Sequence, residues 1–180
     1  MNWMKKVAVA LVCLLPLGLQ AAKVDTLQVK SPSMNKSIEV VVVSPDMAAT
    51  EACPVIYLLH GYGGNARTWV GIKPDLPKIA DEKGIFFVCP DGKNTWYWDS
   101  PLNADVRYET FISDELVKYV DSHYKTVADR KGRAITGLSM GGHGAMWNGL
   151  RHSDVFSAAG STSRGYPPFP EKLGDERTNR

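Results

Sequence analysis

Apolar and polar positions along this chain fall into blocks that switch between two periods. Val24–Lys30 (VDTLQVK) and Ser37–Val43 (SIEVVVV) are rich in β-branched residues. The polar stretch between them, with Ser31-Pro32-Ser33 and Asn35-Lys36, predicts an antiparallel hairpin. Ser44–Glu51 reads as a polar loop. Val55–Leu59 (VIYLL) is unbroken apolar, as a strand covered on both faces must be. Asp75–Glu82 spaces Leu76, Ile79 and Ala80 as a helix does, and Gly84 predicts its end. Ile85–Cys89 is another buried strand, turned out by Pro90-Asp91-Gly92. Lys93–Asp105 reads as a long loop. An amphipathic helix follows over Tyr108–Tyr124, with Phe111, Ile112, Leu116, Tyr119 and Val120 on its apolar stripe. Ala134–Leu138 is a short strand, Gly141–Leu150 a helix, and Val155–Gly160 opens one more strand. A hairpin followed by alternating strands and helices predicts an α/β sandwich on a largely parallel sheet. From Arg164 to Arg180 the periodicity stops, and Pro, Gly and charges predict an irregular tail.

One apolar block fits neither period. Lys5 and Lys6 precede the apolar run Val7–Leu19, and Ala21-Ala22 close it with small residues. That layout predicts a secretory signal over residues 1–22. The run is shorter than the ~20 residues a membrane-spanning helix needs, so the expectation is export to the periplasm or beyond, with no stable membrane anchor. Cys13 lies in mid-run after Leu11-Val12, unlike a lipidated cysteine at the end of such a run. The predicted organisation is signal 1–22, α/β domain 23–163 and tail 164–180.

Composition narrows the class. Of 180 residues, 44% are hydrophobic and 22% charged, which excludes a disordered chain, a collagen-like chain and a coiled coil. The formal charge is +2 without a basic stripe, so nucleic acid is not an expected partner. Removing residues 1–22 takes away two Lys and no acid, and the balance falls to zero. Cys53 precedes one strand-like run and Cys89 closes the next. In a parallel sheet they would lie ~15–20 Å apart, beyond the ~7 Å that a disulfide spans. Two free, buried thiols are expected. No metal-ligand spacing and no phosphate loop appears, so no metal or organic cofactor is expected.

The chemistry is carried by two turns. Gly137-Leu138-Ser139-Met140-Gly141 matches G-x-S-x-G between the strand RAITGL and the helix GGHGAMWNGL. In that setting a strained strand-to-helix turn lifts a nucleophilic hydroxyl above the sheet, and small neighbours leave it room. His60-Gly61-Tyr62-Gly63-Gly64 follows an earlier buried strand, where a glycine-rich turn supplies one oxyanion donor. The donors would be the Tyr62 and Met140 amides, with Ser139 as nucleophile. Two preorganised amides stabilise a tetrahedral intermediate by ~3–4 kcal/mol each.

Together, LLHGYGG, PDGKNTWYWDSP, YETFISDEL and GLSMGGHGA occur in an order that resembles the esterase D-like family of α/β-hydrolases. That family includes S-formylglutathione hydrolases, secreted feruloyl and acetyl-xylan esterases, and mycolyltransferases. The resemblance covers about residues 24–163. It implies a three-layer α/β-hydrolase sandwich and a serine carboxylester hydrolase working through an acyl-serine, with a small-molecule or polysaccharide ester as partner. Export and the aromatic loop suit acyl esters of carbohydrates. Trp96, Tyr97 and Trp98 would lie near the site mouth, where they either stack on a sugar or aromatic acyl group or serve packing.

The chain departs from the family at one point. An α/β-hydrolase orders its triad Ser, acid, His. After Ser139 the His residues are His143 and His152, and no Asp or Glu separates Ser139 from either. Both read as structural, as does His60. Asp154, Glu171, Asp175 and Glu176 have no His after them. The chain therefore reads as the first two-thirds of an esterase, incomplete at its C-terminus, and little turnover is expected of it. The alternatives are a non-catalytic glycan- or phenolic-binding protein on the same fold, or an acyltransferase to a sugar acceptor.

Overall fold

Strands β1 (Lys23–Ser31) and β2 (Lys36–Ser44) form the expected hairpin in the computed structural model, which describes residues 22–162. Their antiparallel register runs from Lys23 opposite Ser44 to Ser31 opposite Lys36. The predicted signal, apart from Ala22, and the predicted tail lie outside the described residues. β2 continues the sheet antiparallel to β4 (Phe86–Pro90). β4, β3 (Val55–Leu59), β5 (Arg133–Gly137) and β6 (Ala158–Ser161) then run parallel, giving the order β1-β2-β4-β3-β5-β6.

The alternation along each strand divides the core into two layers. Val40 and Val42 of β2, Tyr57 and Leu59 of β3, and Phe86 and Val88 of β4 bury against one set of helices. Val41, Val43, Leu58, Phe87 and Cys89 bury against the other. The first layer is closed by α3 (Tyr108–Thr110), a π-helical turn over Phe111–Glu115, α4 (Leu116–His123) and α5 (Met140–Arg151). Phe111, Ile112, Leu116 and Val120 supply the predicted stripe and are wholly buried. Each such side chain contributes ~1.5–3 kcal/mol on burial. The second layer is closed by α1 (Thr68–Ile72) and α2 (Leu76–Lys83), which inserts Leu76 and Ala80. Gly84, at φ +62°, ends α2 in the left-handed conformation that glycine adopts without cost.

Three short elements depart from the sequence reading. The polar stretch after β2 contains a 3₁₀ turn, Asp46–Ala49, whose residues are all incompletely buried. α1 follows the glycine turn directly and has no buried residue, so it shows no apolar stripe. The long amphipathic helix contains the π turn in its interior. Cys53 and Cys89 are free and buried. No helix among the described residues is long and apolar enough to cross a membrane.

Candidate active site

Ser139 stands between β5 and α5 with φ +53° and ψ −119°, a conformation L-residues rarely hold. It costs on the order of 1–3 kcal/mol and persists where surrounding packing imposes it. Packing imposes it here. A side-chain carbon on Gly141 would meet the Leu59 backbone and lie 2.6 Å from the His60 carbonyl oxygen. α5 can thus start directly against the end of β3 only because that position has no side chain. The Gly141 N–H donates to the Leu138 carbonyl at 2.8 Å and closes the turn. Met140 is the first residue of the 12-residue α5, where unpaired amides and the helix dipole favour negative charge.

The glycine turn after β3 meets this serine. A β-carbon on Gly61 would sit 3.5 Å from Ser139 Cβ and 2.7 Å from a Leu138 methyl. Tyr62, next in the chain, is 67% exposed, so its backbone is held by the turn rather than by its ring. The Gly64 N–H donates to the Gly61 carbonyl at 3.0 Å, and the Gly63 N–H donates to Asn94 Oδ1 at 2.7 Å. The structure therefore brings Ser139, Met140 and the Tyr62 turn together at the carboxyl edge of the sheet.

His60 binds two turns to each other. The Gly92 N–H donates to its Nε2 at 2.9 Å, which places the ring proton on Nδ1, and Nδ1 donates to the Gly61 carbonyl at 2.7 Å. With both nitrogens engaged and 1% exposure, this ring is a brace.

The three aromatic residues separate into two roles. Tyr97 is wholly buried, which fits the packing role among the two that the sequence left open for it. Trp96 and Tyr97 both hold left-handed backbone, φ +58° and +60°, which turns the Tyr97 ring inward. The ring lies against Gly92 and Gly144, both of which lack side chains that would occupy its place. Its hydroxyl donates to the His60 carbonyl at 3.1 Å, and its own carbonyl accepts from Asn148 Nδ2 at 3.0 Å. Trp96 and Trp98 stay half-buried, edge-on to the His143 ring at 5.5 and 6.0 Å. Trp147 lies nearly parallel to His143 at 6.2 Å and meets the edge of Trp98 at 6.1 Å. Burial among these rings pushes the His143 imidazole down, partly opposed by a hydrogen bond with the Trp96 backbone.

A second polar centre was not anticipated from sequence. Glu109, 7% exposed, accepts from Trp147 Nε1 at 2.7 Å, Arg151 Nε at 2.7 Å and His152 Nε2 at 2.9 Å. Burial pushes its carboxyl up, but these three donors outweigh it and hold the group below the usual carboxylate range. The contact clamps the end of α5 to α3 and explains His152 as a structural partner. Asp99 caps the start of the same helix from across the loop, accepting from the Thr110 N–H at 3.0 Å and its hydroxyl at 2.6 Å. His123, the remaining histidine, contacts Tyr119 and Ser122. His60, His123 and His152 thus have polar partners that account for them, while the buried Nδ1 of His143 has none among the described residues. Among the described residues no group of His, Cys, Asp and Glu is gathered to hold a metal.

A mixed sheet with this strand order, helices on both faces and a strained serine turn at its carboxyl edge is an α/β-hydrolase fold. The solved ferulic acid esterase shares it at a TM-score of 0.66 and 32% identity, covering 77% of this chain and 61% of that one. The chain belongs to the Esterase family, whose model, described as "Putative esterase", matches residues 31–171. It is 29% identical over 143 residues to an esterase of Mycobacterium tuberculosis, covering 76% of this chain and 30% of that protein. It is 31% identical over 108 residues to an acetyl esterase of Caldicellulosiruptor saccharolyticus, covering 59% of this chain and 40% of that protein. The chain thus spans less than half the length of these two relatives.

Proposed function

We propose that Ser139 is the nucleophile of a serine carboxylester hydrolase, with the Tyr62 and Met140 amides as its oxyanion donors. The observation that carries this reading is the strained Ser139 backbone at a strand-to-helix junction, with Gly61 packed against it. In the reaction, Ser139 Oγ adds to the ester carbonyl and gives its proton to solvent, from which the departing alcohol is protonated. The carbonyl oxygen takes the negative charge toward the two amides. The alcohol then leaves with a proton, and water cleaves the acyl-serine. The substrate class we assign is acyl esters of carbohydrates. Its support is the likeness to ferulic acid and acetyl esterases and the signal-like residues 1–22, which point to export.

All four histidines have structural neighbours, so fast turnover is not the expected signature of this chain. A fluorophosphonate, which records a single covalent event at the serine and needs no turnover, is the better probe. Mass spectrometry should find one adduct on the peptide containing Ser139 and none in Ser139→Ala. An adduct elsewhere, or none, overturns the assignment. Hydrolysis of p-nitrophenyl acetate should be weak. The non-catalytic reading makes the opposite demand: glycan or phenolic binding that Ser139→Ala leaves intact, with no adduct.

A further inference from the structure

Ala22, the residue before β1, is already part of the fold. Its methyl packs against the second core layer, and its N–H donates to Asp81 Oδ2 at 2.7 Å. Asp81 lies near the carboxyl end of α2, and its other oxygen accepts from the Asp46 N–H at 2.8 Å. One carboxylate thus ties the start of β1 and the turn after β2 to the same helix.

That carboxylate has no charge partner. It stands in the last turn of α2, where unpaired carbonyls and the helix dipole disfavour negative charge. The neighbouring cations are engaged elsewhere, Lys78 with Glu82 at 3.5 Å and Lys23 with Asp25 at 3.0 Å. Among the described residues Asp81 accepts from two neutral amides and forms no ion pair. A half-buried carboxylate of this kind is completed by a cation. Of its two donors, the Ala22 nitrogen is the one that a single cut in the chain turns into a cation.

The sequence places such a cut there. The leader pattern over residues 1–22 ends in Leu19-Gln20-Ala21-Ala22, and two cuts leave alanine as the last leader residue. Cutting after Ala22 puts the polar Gln20 two residues before that alanine, and takes the Ala22 methyl and N–H out of the fold. Cutting after Ala21 puts the apolar Leu19 there, nearer the A-x-A pattern, and keeps both.

We propose that a leader peptidase hydrolyses the Ala21–Ala22 bond and that the new α-ammonium docks on Asp81. Water gives its oxygen to the Ala21 carbonyl carbon, the C–N bond breaks, and a carboxylate is left on Ala21. The two protons of the water go to the Ala22 nitrogen, which becomes an ammonium. A neutral donor 2.7 Å from Asp81 is thereby replaced by a charged one, so maturation itself supplies the missing ion pair. The site rests on the export reading of residues 1–22 and is independent of Ser139.

The test exports the full chain from a Gram-negative bacterium and reads the product by intact mass and N-terminal sequencing. The exported protein should begin at Ala22. A start at Lys23 or at any other residue overturns the cleavage site, and a chain that keeps Met1 overturns the leader reading with it. Fluorophosphonate labelling of the same samples reports on Ser139 separately. The docking is read by acetylating the α-amine of the chain that begins at Ala22. The acetyl group restores the amide of the uncut chain and removes only the charge. It should lower the thermal unfolding midpoint by about 1–3 °C, the shift expected for one partly exposed ion pair. Asp81→Asn should lower the midpoint similarly, and acetylating that variant should then change nothing further. Acetylation that leaves the parent midpoint unmoved, or that lowers parent and variant alike, overturns the docking. If Asp81→Asn does not fold, the acetylated parent decides alone.

Discussion

The Tyr97 hydroxyl and the His60 carbonyl oxygen, 37 residues apart in sequence, are joined by a 3.1 Å hydrogen bond beneath the glycine turn. The aromatic loop is thereby pinned to the backbone that positions Tyr62. Tyr97→Phe should lose about 1 kcal/mol of stability, the net worth of one such bond. Tyr97→Ala should lose about 3–5 kcal/mol, because it empties a fully packed ring site. Urea unfolding measures both. If both variants unfold like the parent and only ligand binding changes, Tyr97 is a surface residue after all.

The strain at Ser139 is measurable by comparing two variants that both lack the hydroxyl. Glycine adopts φ +53° freely and alanine does not. Ser139→Gly should therefore be more stable than Ser139→Ala by about 1 kcal/mol, after allowing for the greater chain entropy of glycine. Equal stabilities would show that the turn holds no strain.

Glu109 makes stability depend on acid. Its folded carboxyl is held below the unfolded value, so its contribution is complete above the ordinary glutamate range and is lost as pH falls through the folded value. At pH 7, Glu109→Gln should cost about 1.5–3 kcal/mol, the loss of a buried charge with three donors. The gap between parent and variant should close below about pH 4. A gap that is constant from pH 7 to pH 3 contradicts the network.

His143 gives the same sign in a different window. Its folded imidazole is pushed down, so the folded state resists protonation. Parent stability should fall as pH drops below about 6.5, the unfolded value, toward the folded one. His143→Phe, which keeps a ring among Trp96, Trp98 and Trp147, should remove that slope. An NMR titration placing His143 at or above the ordinary histidine value refutes the assignment.

Much of this was legible because burial on both faces writes an unmistakable pattern. VIYLL and FFVC are strands since nothing polar is tolerated there, and the serine turn was visible from its spacing together with the strand before it and the helix after it. α1 was illegible for the converse reason: five residues with none buried carry no period. Tyr97 was indistinguishable from its neighbours, because two consecutive left-handed residues redirect the chain and composition does not encode that. Glu109 left a trace. It stands three residues before Ile112 and seven before Leu116, on the apolar stripe itself, and a carboxylate there must bring its own donors.

The pairing of β3 with β5 sets the order in which this site comes into being. Val55 finds Phe86 in β4 after a short excursion, but its other partner, Arg133, emerges much later in synthesis. Closing so long a loop is entropically slow compared with hairpin and helix formation. Met140 and the Ser139 turn take their places only once that closure has occurred. The strained Ser139 turn is thus a late product of assembly, and a nascent chain does not hold it until the sheet is joined around β3.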